Sequence, residues 1–438
     1  WIKQDDQIVW LSDGVPGSLS AKGEAKDYKF KIKQEVDIQA RNRAAFDLAW
    51  GTMRDQYYDE RLGNRNWDAI RRKYIEMATK APTKAIFGRA VSLMLGELNG
   101  SHLGFYPSGE GSASKDQWRE TTVHLGVRFE PDYMGPGLKV KDILPRGPAE
   151  HVKSRIKPGE VIMSVDGVTV DPDMDLTTVL NGQSDQDFHL KVKDAEDEER
   201  AVVLRPISYG NARSLLYEKW LIDNRSKVES ASDDTLGYLH VRGMNWSSFY
   251  KFERELYAAG AGKDGLIIDV RNNGGGYTID HLLTVLTQPV HAITVGRGGG
   301  PGYPQNRRVY ATWHRPIVVL CNQNSLSNAE IFSHAIKTLK RGQLVGVPTG
   351  GRVISTGIRS IMDMGRLRIP LRGWFLLNDG EDMELNGAVP DHIIWPAPGD
   401  MPGGKDTQLE KAIEVLLEDV RKWKERPQPT LRKASERG

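Results

Sequence analysis

Residues 317–335 read IVVLCNQNSLSNAEIFSHA. An apolar run, Ile317–Cys321, meets a polar turn, Asn322–Asn328, and helical spacing begins beside Ser327. A strand feeding a helix through such a turn sets a hydroxyl at the helix N-terminus, where free backbone N–H groups favour developing negative charge. An acyl-transfer nucleophile could work there. The same serine, with Glu330, also spells the S-x-x-E capping box, which needs no chemistry. Taken alone, the stretch favours the cap.

The neighbouring stretch GLIIDVRNNGGGYTIDHLL (265–283) has the same plan: a buried strand ending at Arg271, three glycines, then a helix starting near Tyr277. Glycine permits positive φ and close backbone approach, leaving N–H groups open to an anion. No Lys-Ser/Thr follows the glycines and no G-x-G-x-x-G occurs, so this is not a nucleotide loop. Across 212–425, TLGYLHV, GLIIDV, PIVVLC and QLVGV alternate with helical patterns, which predicts βαβ units around a mainly parallel sheet. Parallel neighbours that both end in polar turns place those turns side by side at the sheet's carboxyl edge. The domain closes on an amphipathic helix with Leu409, Ile413, Leu416, Leu417, Val420 and Trp423 on its apolar stripe and Thr407-x-x-Glu410 as its cap. Residues 426–438 form a polar tail.

Upstream, residues 1–36 alternate, with Tyr28, Phe30 and Ile32 on one face, as in a half-buried strand; they read as a β segment arriving from an upstream domain. The period then changes. Ile38, Ala45, Phe46, Ala49, Trp50 and Met53 take helical spacing, and Trp67–Ala78 and Lys84–Leu98 supply two more helices. Residues 37–108 thus form a helical domain that ends in the loop Asn99-Gly100-Ser101-His102. GEGSASKDQ (109–117) has linker composition. In 118–208, HLGVRFE, LKVKDIL, GEVIMSVDGVTV, FHLKVKD and RAVVLRP predict five strands. The Leu125-Gly126-Val127 loop, Gly147-Pro148-Ala149 and Lys157-Pro158-Gly159-Glu160 resemble a PDZ domain of the bacterial protease type. In that family the loop amides hold a peptide's terminal carboxylate while the peptide extends the sheet edge.

Bulk composition excludes several classes. The 438 residues exceed one core and predict about two to four domains. With 60 basic and 58 acidic side chains the net charge is +2, which gives no electrostatic case for nucleic acid. No apolar run approaches a membrane span. The single cysteine, Cys321, excludes an intrachain disulfide and reads as a buried strand residue. No H-E-x-x-H or Cys/His cluster occurs, so neither a zinc site nor any other metal is expected.

A nucleophilic serine needs a base. His334 lies seven residues beyond Ser327, two helical turns or about 10 Å along the axis, which is too far. His102 sits in an irregular loop, where functional groups gather, although a loop histidine is more often simply solvated.

Together LIIDVRNNGGG, NSLSNAEIFSHAIK, GQLVGVPTGG and MELNGAVPDHII, in this order and spacing, resemble the tail-specific and tricorn-type serine peptidases over about residues 37–425. In tail-specific enzymes a lysine follows the T-x-G step; here Arg352 follows Thr349-Gly350-Gly351, and arginine cannot act as a general base. The tricorn branch brings a histidine after GEL-x-x-SH, which GELNGSHLG (96–104) matches. The resemblance therefore implies Ser327 as nucleophile, His102 as base, Ser101 and Glu384 completing a tetrad, and the amides of Asn328 and of Gly275 or Gly276 as oxyanion hole.

Two departures stand out. The tricorn preference for basic residues is assigned to an acidic side chain after the glycine loop, and 281–310 contains no Asp or Glu. The preceding propellers are also missing. The expected architecture is α+β multidomain: helical domain, PDZ-like β-domain and α/β (ClpP/crotonase-like) catalytic domain. The expected activity is cofactor-free hydrolysis of peptides or unfolded polypeptides, in a chain that the resemblance makes a homo-oligomer, slightly favouring the cytoplasm. The rivals are a non-catalytic peptide-binding scaffold of the same fold and a crotonase-like acyl-transfer enzyme. The PDZ insertion argues against the latter.

Overall fold

The computed structural model describes all residues except 1, 5–6, 32, 34, 110–119, 183–184, 293, 296, 298–300, 303–310, 428–429 and 437–438. The 109–117 linker expected from the sequence lies, except for Gly109, outside the described residues. Contacts divide the chain into two units, the first made of Trp1–Asn99, Leu103–Glu110 and Ile358–Ile369. It opens with an antiparallel meander of β1 (Ile2–Gln4), β2 (Gln7–Ser12), β3 (Val15–Ser20) and β4 (Ala25–Asp27). β4 ends before the Tyr28–Phe30–Ile32 alternation. Ile32 is not described, Tyr28 and Phe30 are exposed, and the Tyr28 hydroxyl meets Ser18 Oγ at 3.0 Å. Exposed at both described positions, the alternation does not make the half-buried strand expected.

Helices α1 (Ile38–Gln56), α2 (Trp67–Thr79) and α3 (Lys84–Gly96) follow. Each begins where a short polar side chain satisfies an orphan amide: Asp37 accepts from Ala40, Asn66 from Ala69 and Thr83 from Ile86. They bury Phe46, Met53, Phe87 and Met94. Beyond α3 the chain turns through Asn99 at φ 51°, a left-handed position that asparagine tolerates. β5 (Gly104–Pro107) pairs antiparallel with Gly365–Arg368. Gly100–His102 belong by their contacts to the second unit, so the boundary falls inside the expected 37–108 domain; the hydrogen bonds of Ser101 account for this below.

In the second unit, the PDZ-like part comprises β6 (Val123–His124), β7 (Val127–Phe129), β8 (Leu138–Ile143), β9 (Val161–Val165), β10 (Val168–Thr169), α4 (Thr177–Leu180), β11 (Phe188–Lys193), β12 (Glu199–Leu204) and β13 (Ile207–Ser208). The sheet runs β12-β11-β9-β8-β7, with β10 on β9, and β7 is an edge strand. β11 shows why it folds: Phe188, Leu190 and Val192 alternate inward onto Val140 and Ile162.

The chain then builds α5 (Tyr209–Ala231), β14 (Leu236–His240), α6 (Trp246–Gly260), β15 (Gly265–Asp269), α7 (Ile279–Thr287), β16 (Thr294–Val295), β17 (Pro301–Gly302), β18 (Ile317–Cys321), α8 (Asn328–Thr338), β19 (Gln343–Gly346), β20 (Ser355–Ile361), β21 (Gly365–Arg372), β22 (His392–Ile393) and α9 (Thr407–Glu425), an α/β part from which residues 358–369, in β20 and β21, belong by their contacts to the first unit. The central sheet is β14-β15-β18-β19-β22, every pair parallel. β15 and β18, buried at every position, are almost wholly apolar because both faces of the sheet are covered there. Leu266, Ile268 and Val319 face a core with Phe249, Leu282 and Phe332, while Ile267, Val318 and Leu320 face Leu221 and Leu416. Cys321 is buried, as expected. A buried cluster ties β15 to α9: Arg271 pairs with Asp269 at 2.7 Å and Asp406 at 2.9 Å, and Tyr238 donates to Asp269 at 2.8 Å. The α9 cap is Asp406, whose carboxylate accepts from Leu409 at 3.0 Å, one residue before the expected Thr407. A carboxylate already held by Arg271 is the better-placed acceptor.

Candidate active site

β15 and β18 pair in parallel from Leu266↔Ile317 to Asp269↔Leu320, so the turns after them emerge side by side. Asparagines stitch the two turns together. Asn322 Oδ1 accepts from the Asn272 amide at 3.0 Å, the Asn273 carbonyl accepts from the Leu326 amide at 2.8 Å, and Asn328 Oδ1 accepts from Ile279 at 3.1 Å, capping α7. Two glycines are required by this closeness. A Cβ on Gly275 (φ 86°) would lie 2.6 Å from Ser327 Cβ, and one on Gly276 (φ 150°) would run into the Met244 carbonyl.

Ser327 sits at φ 54°, ψ −119°, a region L-residues avoid, between β18 and α8. Such strain persists only where the surroundings over-determine it, and it accumulates at reactive centres and strand-to-helix nucleophile turns. What holds it is Glu330. This fully buried carboxylate accepts from the Ser327 amide at 3.0 Å and the Arg352 amide at 2.7 Å on Oε1. On Oε2 it accepts from the Thr349 hydroxyl and the Gly351 amide, both at 2.6 Å. The Glu330 arm of the capping box is thus present, inside a larger network.

Of the oxyanion candidates, Asn328 is the first residue of α8, so its amide has no acceptor within the helix. The Gly275 amide donates to Asn273 Oδ1 at 2.9 Å. The Gly276 amide makes no backbone hydrogen bond among the described residues; the Met244 contact uses the Gly275 carbonyl and the Tyr277 amide instead.

The histidine side is held by Glu384, a buried residue from the ELNGAVPD segment. Its Oε1 accepts from the Ser101 amide at 2.6 Å, and its Oε2 from the Ser101 hydroxyl at 3.0 Å and the Val353 amide at 3.1 Å. Since Ser101 Oγ donates to Glu384, it faces His102 Nδ1, at 2.6 Å, with a lone pair. The tautomer that fits carries its proton on Nδ1, which makes Nε2 the ring's accepting nitrogen. His102 is itself at φ 60°. The amides of 351–353 connect both halves, Gly351 and Arg352 serving Glu330, and Val353 serving Glu384.

Other titratable groups are set aside by their environment. Burial pushes the Cys321 thiol up to about 12. His334 is lowered by burial and then by Lys337, and its Nε2 lies 3.1 Å from Thr338. In the PDZ-like loop, Leu125 and Val127 are buried, while the Gly126 amide donates to His124 Nδ1 at 2.9 Å. Among the described residues no His/Cys/Asp/Glu group could hold a metal, and no helix is long and apolar enough to cross a membrane. Sequence reasoning did not identify Glu330 as the hub, Asn273 as the residue engaging Gly275, or Asn328 as the α7 cap. The S-x-x-E spacing was the one available signal, and it pointed only to a local cap.

Comparison with known proteins gives consistent matches along the chain. Residues 235–394 match Peptidase family S41, 38–96 the Tricorn protease C1 domain and 142–209 the Tricorn protease PDZ domain. Tricorn protease homolog 1 of Streptomyces coelicolor is 28% identical over 407 residues, covering 92% of this chain and 37% of its own length. Tricorn protease of Thermoplasma acidophilum is 27% identical over 385 residues, covering 87% of this chain and 35% of its own. The chain thus spans little more than a third of these curated relatives. The crystal structure of the tricorn protease shares the fold, with TM-score 0.73 and 24% identity over 94% of this chain and 41% of that one.

Proposed function

We propose that the chain, in which residues 235–394 match Peptidase family S41 and 38–96 and 142–209 match the tricorn C1 and PDZ domains, is a serine peptidase that cleaves peptides or unfolded polypeptides through a Ser327 acyl-enzyme. The observation that carries the reading is the relay from Glu384 through Ser101 to His102 Nδ1, which leaves Nε2 as a base. Ser327 Oγ attacks the scissile carbonyl and His102 Nε2 takes its proton. The tetrahedral oxyanion lies against the amides of Asn328 and Gly276, whose direction is fixed before substrate arrives. His102 then protonates the leaving amine, and water repeats the sequence to release the acyl group. Ser101 and Glu384 orient the imidazole and stabilise its charged form. The edge strand β7 offers a place for an extended peptide to add to the PDZ-like sheet.

The test is labelling by a fluorophosphonate, followed by digestion of a peptide library. Intact protein is expected to label and cleave, and Ser327→Ala to do neither. Labelling that persists in the variant sinks Ser327 as nucleophile, and a protein that neither labels nor cleaves is the peptide-binding scaffold. A homo-oligomeric state is proposed on resemblance alone; light scattering at the monomer mass would remove it.

A further inference from the structure

Arg352 occupies a site the mechanism leaves unused. Its amide and that of Ser327 donate to the same oxygen, Glu330 Oε1, so the two nitrogens lie within about 6 Å of each other. The side chain is exposed between buried Gly351 and Val353, and three consecutive amides pinned to carboxylates fix the direction in which it leaves the backbone. Two carboxylates stand close by, yet neither engages the guanidinium. Glu330 and Glu384 are occupied by the amides and hydroxyls of Ser327, Thr349, Gly351, Arg352, Ser101 and Val353. Among the described residues the guanidinium has no ion pair and no hydrogen bond. The two turns flanking Ser327, NNGGG at 272–276 and NQNSLSN at 322–328, contain no acid that could neutralise it.

We propose that Arg352 is a specificity-determining residue that selects substrates bearing a carboxylate close to the scissile bond. That carboxylate is either an acidic side chain or the peptide's own C-terminus. A guanidinium is charged at every working pH and grips a carboxylate with two parallel donors. An extended peptide advances about 3.3 Å per residue, so the fork reaches substituents one to three residues from the bond. The proposal rests on the serine-peptidase reading and names its substrate class.

The test scans one aspartate through an alanine-rich octapeptide, with free and amidated C-termini, and measures kcat/KM. Wild type is expected to prefer a carboxylate at one position by about tenfold or more. Arg352→Gln should flatten that preference and Arg352→Glu should invert it toward lysine, while both variants still label with fluorophosphonate. Loss of preference on amidation identifies the C-terminus as the group read, and its retention identifies the side chain. Binding of the same peptides to Ser327→Ala, with and without Arg352→Gln, tests selection separately from chemistry: wild-type inactivity with intact selection would fail only the peptidase reading. A wild type indifferent to carboxylates in both assays, or a preference surviving Arg352→Gln, overturns the proposal.

Discussion

Strain at Ser327 separates two roles one side chain can play. Ser327→Ala and Ser327→Gly both remove the hydroxyl, but only glycine adopts φ 54° without penalty. The glycine variant is expected to be the more stable by about 1 kcal/mol in urea titrations, with both variants failing to label. Equal stabilities would mean that the backbone relaxes there. Glu384→Ala should act twice: kcat falls by about a hundredfold or more, and stability by about 1–3 kcal/mol as the Ser101 and Val353 amides lose their acceptor. Cys321 belongs to this scale too. With its thiol near 12, it should resist alkylation at pH 8 in the native protein and react fully after denaturation. Ser101, His102, Ser327 and Glu384 could be proposed from the sequence because short motifs carry the resemblance that implies them. The sequence could not name Glu330 as the hub, since its partners at 349–352 are brought to it only by the fold.

The decisive element is the turn between β18 and α8, which presents an amide as well as a hydroxyl. Proline is accommodated at the first residue of a helix, so Asn328→Pro removes that N–H while α8 can still form. The control is Asn328→Ala, which loses only the cap on α7, a cost of about 1 kcal/mol. With folding checked by circular dichroism, the proline variant is expected to lose about 10²–10³ in kcat and the alanine variant far less. Equal losses would assign the effect to the asparagine side chain. Strands were legible wherever both faces or one alternating face were buried, as β15 and β11 illustrate. Ends were harder to read. The α9 cap moved to Asp406 because Arg271, distant in sequence, holds that carboxylate, and β4 ends before Tyr28 and Phe30, which are exposed.

For the whole molecule, the Asp269–Arg271–Asp406 cluster ties the central sheet to its last helix. Arg271→Met leaves two buried carboxylates uncompensated and should cost about 3–5 kcal/mol. Burial raises the Asp269 carboxyl, but Arg271 more than offsets it, so the group sits below its ordinary value. A depressed carboxyl contributes stability that is complete above its unfolded value, about 3.9, and is lost as pH falls through the lower folded value. The wild type should therefore lose this contribution only below about pH 4. Arg271→Met, whose Asp269 keeps its hydrogen bonds from Tyr238 and the residue-271 amide but is buried without a counter-charge, should be least stable near neutrality and recover part of its deficit on acidification; a deficit independent of pH would rule out the ion pair as its cause. The Ser101–Glu384 bonds span 283 residues of chain. During synthesis Ser327, the proposed nucleophile, leaves the ribosome before Glu384 exists, and loop closure over that length comes late in folding. On the proposed mechanism a half-folded copy lacks the bonds that orient His102 and is therefore inert.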